Sequence, residues 1–125
     1  MKIILVDAWN TFVKEKKIDN ELYKILEAFS NKKIILTNAS QNERKEYGII
    51  QMPYNVFSLS HNPEKSDPKY FEILCDKYNL NPDDLLYIEH NKIAYKTATL
   101  FGIISLLYEG DNKSVEDFLL KNCYD

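Results

Sequence analysis

Five short apolar runs punctuate this chain, and stretches with helical spacing separate them. Lys2-Ile-Ile-Leu-Val6 is continuously apolar and ends in Asp7, the pattern of a parallel strand buried on both faces. Residues 18–29 set Ile18, Leu22, Ile25, Leu26 and Phe29 on one helical face, with Asp19 or Asn20 as its cap. Lys33-Ile-Ile-Leu-Thr37 predicts a second strand, residues 41–46 a short polar helix, and Val56-Phe-Ser-Leu59 a weaker third strand. Asp67-Pro68 reads as an N-cap followed by proline in the first turn, opening a helix that turns Phe71, Leu74, Cys75 and Tyr78 inward. Asn81-Pro82 marks a brief turn before the fourth strand, Leu85-Leu-Tyr-Ile88. A helix over residues 93–101 stops at Gly102, and 103–107 is the fifth strand. Ser114 with Asp117 predicts a capping box opening a last helix through Val115, Phe118 and Leu119.

Strands alternating with helices imply a parallel sheet covered on both faces. Three glycines and four dispersed prolines leave no linker, and no repeat divides the 125 residues, so the expectation is one domain over 1–125. The formal charge is −3, and Arg44 is the only arginine, so the bidentate fork that clamps phosphates and reads guanine is nearly absent. Nucleic acid is therefore not an expected partner, and the densest basic run, Lys14-Glu-Lys-Lys17, reads as a solvated loop. No apolar run is long enough to span a bilayer, and no signal-like segment precedes Asp7. Cys75 and Cys123 are too isolated for a disulfide framework. The expected setting is the reducing cytoplasm, with no membrane partner.

In open α/β sheets, ligands bind outside the carboxyl ends of the strands. Strand one ends in Asp7, strand two in Thr37-Asn38 and strand four in Glu89-His90-Asn91. A carboxylate, a hydroxyl–amide pair and a second carboxylate would then converge on one edge of the sheet.

Four segments resemble the motifs of the haloacid dehalogenase (HAD) superfamily, in the right order over about residues 2–107. VDAWNTF (6–12) resembles the first, a strand followed by Asp-x-x-x-Thr. ILTNAS (35–40) resembles the second, EKSDPKYF (64–71) the third, and YIEHNKIAYKTATLFGI (87–103) the fourth. The resemblance implies a Rossmann-like α/β fold and an aspartate nucleophile that forms a covalent intermediate. On it, Asp7 attacks a phosphoryl or carbon centre, Thr37 and the backbone around Asn38 hold the transferring oxygens, and Lys65 supplies positive charge. Asn91 lines the substrate site. Asp7, the Trp9 carbonyl and Glu89 occupy the positions that hold Mg2+ in the family. His61 and His90 read as hydrogen-bonded loop residues, since zinc would need a third soft ligand.

The departures from this pattern are informative. Family phosphatases carry a second Asp two residues after the nucleophile as general acid and base. Here that position is Trp9, and losing such a group costs about 10²–10⁴-fold in rate. The Asp-Ala-aromatic-x-Thr string, Thr-Asn-Ala-Ser and Asn91 resemble the dehalogenase branch, but Ala94 stands where that branch has an aspartate. Only about 30 residues separate Asp7 from Thr37, room for one helix and a short flap but not a cap domain. The expectation is a capless HAD-like domain with a five-stranded parallel sheet. Its expected function is phosphatase-type phosphoryl transfer through an aspartyl intermediate, with a phosphorylated small molecule or macromolecule as substrate and a second subunit available to close the open site. The alternative is a catalytically silent binding or interaction module on the same scaffold. Dehalogenase-like chemistry is a third reading.

Overall fold

The computed structural model describes residues 1–123. Five parallel strands form the sheet: β1 (Ile3–Asp7), β4 (Lys33–Thr37), β5 (Asn55–Ser58), β6 (Leu85–Glu89) and β7 (Ile104–Leu107). Their spatial order is β5-β4-β1-β6-β7, so β1 is central and the chain first winds outward through β4 to β5. It then crosses back to lay β6 against the other side of β1. That reversal opens a crevice at the carboxyl end of the sheet, where Asp7 and Glu89 terminate neighbouring strands.

Alternation along the strands assigns the two cores. Ile4, Val6, Ile35, Leu86 and Ile88 face α1 (Asn20–Glu27) and α5 (Asn112–Asn122), where Leu22, Leu26, Val115 and Leu119 are fully buried. Leu5, Ile34, Leu36, Phe57, Leu85 and Tyr87 face α3 (Pro68–Tyr78) and α4 (Lys92–Phe101) through Tyr70, Phe71, Leu74, Cys75 and Ala98. The fold is thus α/β with helices on both faces, as the alternation of elements predicts, and no cap domain interrupts it. The inward set predicted for α3 is correct save for Tyr78, which is only partly buried, while the neighbouring Tyr70 is fully buried. Among the described residues no helix is long and apolar enough to cross a membrane.

Two local expectations are corrected. The last helix begins two residues before Ser114: Asp111 is its N-cap, accepting from the Lys113 N–H, and the Ser114 hydroxyl only donates back to the Asp111 carbonyl. Asp111 follows Gly110, in the left-handed region at φ 91°, and needs no glutamate three residues on to cap its helix. A reciprocal capping box does exist, at the short helix α2 (Gln41–Glu46), between Ser40 and Glu43. The basic run is also more than a solvated loop. β2 (Val13–Lys14) and β3 (Lys17–Ile18) pair antiparallel around Glu15-Lys16, both at positive φ. Lys14, still partly exposed, bonds Asp19, at 2.5 Å, and the Tyr108 hydroxyl, at 2.5 Å.

This hairpin is pinned against the end of α2. Gly48 has φ 76°, and a Cβ there would lie 2.3 Å from the Lys16 carbonyl oxygen. At Gly110, with φ 91°, an added Cβ meets nothing within 4 Å. Gly110→Ala should therefore cost only the left-handed backbone penalty, about 1–2 kcal/mol. Gly48→Ala should cost clearly more, because backbone must shift as well. Urea midpoints of the two variants measure the difference, and equal losses would rule out the Lys16 contact as a constraint.

Candidate active site

Asp7 is the last residue of β1 and is only 2% exposed. Immediately after it the chain doubles back: the Ala8 N–H donates to the Leu36 carbonyl, and the Thr11 and Val13 N–H groups donate to the Ala8 carbonyl. Asn10, at φ 63°, allows that tight turn. The turn brings the Thr11 hydroxyl 2.9 Å from Asp7 Oδ2, which explains physically the four-residue spacing of Asp and Thr. His90 Nδ1 lies 2.5 Å from the same oxygen. Lys65 Nζ donates to Asp7 Oδ1 at 2.6 Å and to Glu89 Oε1 at 2.7 Å, so one buried ammonium bridges two buried carboxylates. The Tyr87 hydroxyl also donates to Glu89 Oε1, and the Asn91 N–H donates to Oε2 at 3.0 Å.

Lys65 sits in the loop before α3. Asn38 Oδ1 accepts from the Lys65 N–H at 2.7 Å, tying the end of β4 to that loop, and Asp67 caps the helix that follows. The Thr37 hydroxyl accepts from the Ala39 N–H at 3.2 Å and retains its own proton for donation. Asn91 is the N-cap of α4: its Oδ1 accepts from the Ile93 and Ala94 N–H groups, leaving its amide NH2 for a ligand. All six predicted positions other than Trp9 (Asp7, Thr37, Asn38, Lys65, Glu89 and Asn91) therefore meet at one end of the sheet. They line a pocket of about 390 Å³, which also takes in Trp9, Tyr47, His61, His90 and Ile93. That volume lies in the range of small-molecule sites.

The two carboxylates respond differently to burial. At Asp7 burial works to raise the pKa, and Lys65 and the His90 bond outweigh it, holding the carboxyl below the usual carboxylate range. At Glu89 burial and then the Asp7 charge win over Lys65, raising the carboxyl to about 7. The bond to Asp7 raises His90 above an ordinary histidine, against burial. Asp7 is the ionised partner of the pair, and Glu89 the one that takes a proton more readily.

Sequence reasoning missed His90. As the residue after Glu89 it was placed in the correct loop, but no sequence signal states that its ring folds back onto Asp7. With Asp7 and Glu89 it forms a cluster whose ligand atoms all lie within 4.8 Å of one another. Two carboxylates and an imidazole are donors suited to a divalent cation. Position 9 carries no carboxylate: the Trp9 side chain is 49% exposed, its ring centroid 6.0 Å from those of both Tyr47 and His90. Across the mouth, His61 bridges Glu43 and Glu64, each at 2.6 Å, and the Glu43 oxygen it reaches also accepts from the Ser40 N–H of the capping box.

No family model matches the chain, and no curated protein does. Solved structures match it closely in fold. A HAD-like family hydrolase from Porphyromonas gingivalis superposes with a TM-score of 0.73 at 9% identity, over 98% of each chain. The core domain of a candidate phosphoglycolate phosphatase from Streptococcus pneumoniae gives 0.63 at 18%, over 97% of this chain and 96% of that one. A HAD family enzyme from Bacteroides thetaiotaomicron, solved with magnesium and inorganic phosphate, gives 0.59 at 18%, over 74% of this chain and 52% of its own. This chain therefore has a haloacid dehalogenase-like fold, with hydrolases among its structural neighbours.

Two consequences can be measured. Lys65→Met leaves two buried carboxylates facing each other, a loss of about 3–5 kcal/mol at pH 8 by analogy with other broken buried pairs. Without the ammonium both carboxyls are raised relative to wild type, so the deficit grows as pH rises through their titration and should be smaller at pH 5. Denaturant titrations at the two pH values check this; a deficit independent of pH would mean that the lysine matters for packing alone. His61 is raised first by its bond to Glu64 and then by that to Glu43. Its contribution is therefore present below the unfolded histidine pKa and lost as pH rises through the folded one. The gap in Tm between wild type and His61→Gln should be open near pH 5.5 and close by pH 9.

Proposed function

We propose that this protein is a phosphatase-type hydrolase that transfers a phosphoryl group to Asp7. The observation that carries the reading is the state of Asp7: a carboxylate at the floor of an open pocket, kept ionised by Lys65 and oriented by Thr11 and His90. An ionised, fixed carboxylate is what a nucleophile requires. It attacks phosphorus, forming an aspartyl phosphate as the leaving oxygen departs, and water then hydrolyses that acyl phosphate to regenerate Asp7. The Thr37 hydroxyl and the Asn91 amide donate to the transferring oxygens, and Lys65 offsets the charge that develops on them. Mg2+ held by Asp7, the Trp9 carbonyl and Glu89 would add positive charge beside those oxygens, with His90 available as a further donor. The magnesium and phosphate in the Bacteroides structure support this reading without carrying it.

Trp9 restricts the substrate. Without a carboxylic acid at that position, leaving groups that depart unprotonated are favoured, which points to aryl and acyl phosphates. The same feature favours a second reading, a silent binding module: Trp9 and Ala94 both replace family carboxylates, and every Asp7 and Glu89 oxygen already has a partner within the protein.

Rates separate the two. In Mg2+, wild type should hydrolyse acetyl and p-nitrophenyl phosphate slowly and alkyl phosphates scarcely at all. Asp7→Asn should abolish both activities, since an amide is a poor nucleophile, and Trp9→Asp should raise the alkyl rate. Activity surviving Asp7→Asn would remove Asp7 from the chemistry. Inactivity of wild type and Trp9→Asp alike, in folded protein, would favour the binding module.

A further inference from the structure

Besides its charged floor and the polar Glu43, His61, Glu64 and Asn91, the pocket is lined by Trp9, Tyr47 and Ile93. Trp9, 49% exposed, leans toward Tyr47 on one side and the His90 ring on the other. Ile93, 63% exposed, lines the same pocket from the first turn of α4. Each element is held in place. Trp9 sits on the tight turn after Asp7, Tyr47 is the C-cap of α2, and Ile93 donates its N–H to the Asn91 cap. An exposed apolar side chain alone needs no explanation, but two of them, Trp9 and Ile93, lining one pocket with the partly buried Tyr47 beside a buried carboxylate, make a binding surface.

We propose that Trp9, with Tyr47 and Ile93, is a specificity element that holds a planar aromatic group of the substrate while its phosphoryl group faces Asp7. The proposal rests on the phosphoryl-transfer reading and narrows it from good leaving groups in general to aryl ones. Geometry supports the aromatic over the acyl alternative. A half-exposed indole offers a flat face of the kind that stacks on another ring, whereas a small acyl group would leave that face in water. The tilted Trp9–Tyr47 arrangement, at 45°, leaves the two rings unstacked and so open to a third. Trp9 is also the only tryptophan in the chain, so intrinsic tryptophan fluorescence reports this surface alone.

The test uses two anions that cannot be hydrolysed and differ in the ring: phenylphosphonate and methylphosphonate, titrated by calorimetry in Mg2+. Wild type should bind the phenyl compound about five-fold or more tighter, as expected for a ring–ring contact. That titration should also shift Trp9 emission, and methylphosphonate should shift it little. Trp9→Ala should bring the two affinities within two-fold, and Trp9→Phe should restore much of the preference. Ile93→Ala, a surface change, should lower the preference without unfolding the protein. In turnover, Trp9→Ala should raise KM for p-nitrophenyl phosphate more than for acetyl phosphate. Equal affinities in wild type would overturn the aromatic site and leave the phosphoryl reading standing. A phenyl preference that persists in Trp9→Ala would also overturn it, by placing the ring elsewhere. Failure of both anions to bind would overturn the phosphate site and this element with it.

Discussion

Parallel pairing of β1 with β6 sets two carboxylates side by side in the protein interior, and the arrangement is tolerable only because the Lys65 ammonium lies between them. Much of the local structure serves to put that ammonium there. The loop that carries Lys65 is fixed at its backbone by Asn38, from the end of β4, and is continued by the Asp67-Pro68 start of α3. Buried ion clusters of this kind are poor stabilisers compared with apolar packing of equal volume. A sheet end that needed only to be stable would be closed with aliphatic side chains, as its neighbours Val6, Leu36 and Ile88 are.

Sharing one cation does not make the carboxylates equivalent. Asp7 receives a hydroxyl and an imidazole in addition to Lys65, and both stabilise its charge. Glu89, wholly buried, receives the Tyr87 hydroxyl and one backbone N–H, and burial together with the Asp7 charge prevails. The protein thus sets side by side an acid whose pKa its partners lower, at the pocket floor, and one whose pKa burial raises. Pairs of acids driven apart by their surroundings are how one site assigns different roles to the same functional group.

The sequence made the strands legible because each central strand is apolar on both faces, and each ends abruptly in a polar residue. Those abrupt ends are also why Asp7, Thr37 and Glu89 could be read as one site. Lys65 was found through the resemblance of its segment to a known motif, since a lone lysine in a lysine-rich chain carries no signal. His90 escaped because its part in the site depends on the direction of a side chain, which residue order does not encode. The short flap read between Asp7 and the first helix is there, but its hairpin form is not encoded in residue order: Glu15 and Lys16 have no intrinsic preference for positive φ, and their turn is imposed by the pairing of Val13 with Ile18 and by the close approach of Gly48. At α5 the N-cap is Asp111, which follows Gly110 at φ 91°, rather than Ser114.

Among the described residues the pocket is open, and a few side chains form its rim. One edge is polar, where His61 holds Glu43 and Glu64 together and neutralises part of their charge. Trp9, Tyr47 and Ile93 line the same pocket. A phosphorylated ligand has the same division, with a charged head and an organic remainder, and the pocket matches it in the same order, with cation and hydrogen-bond donors at the floor and apolar surface at the lip. On the proposed phosphoryl-transfer reading, Trp9, at the position where the phosphatases it resembles carry a carboxylate, does two things at once. It takes away a proton donor, and it puts a flat apolar face where the leaving group must lie. On that reading both effects select the same kind of ligand, one whose leaving group is aromatic and stable as an anion.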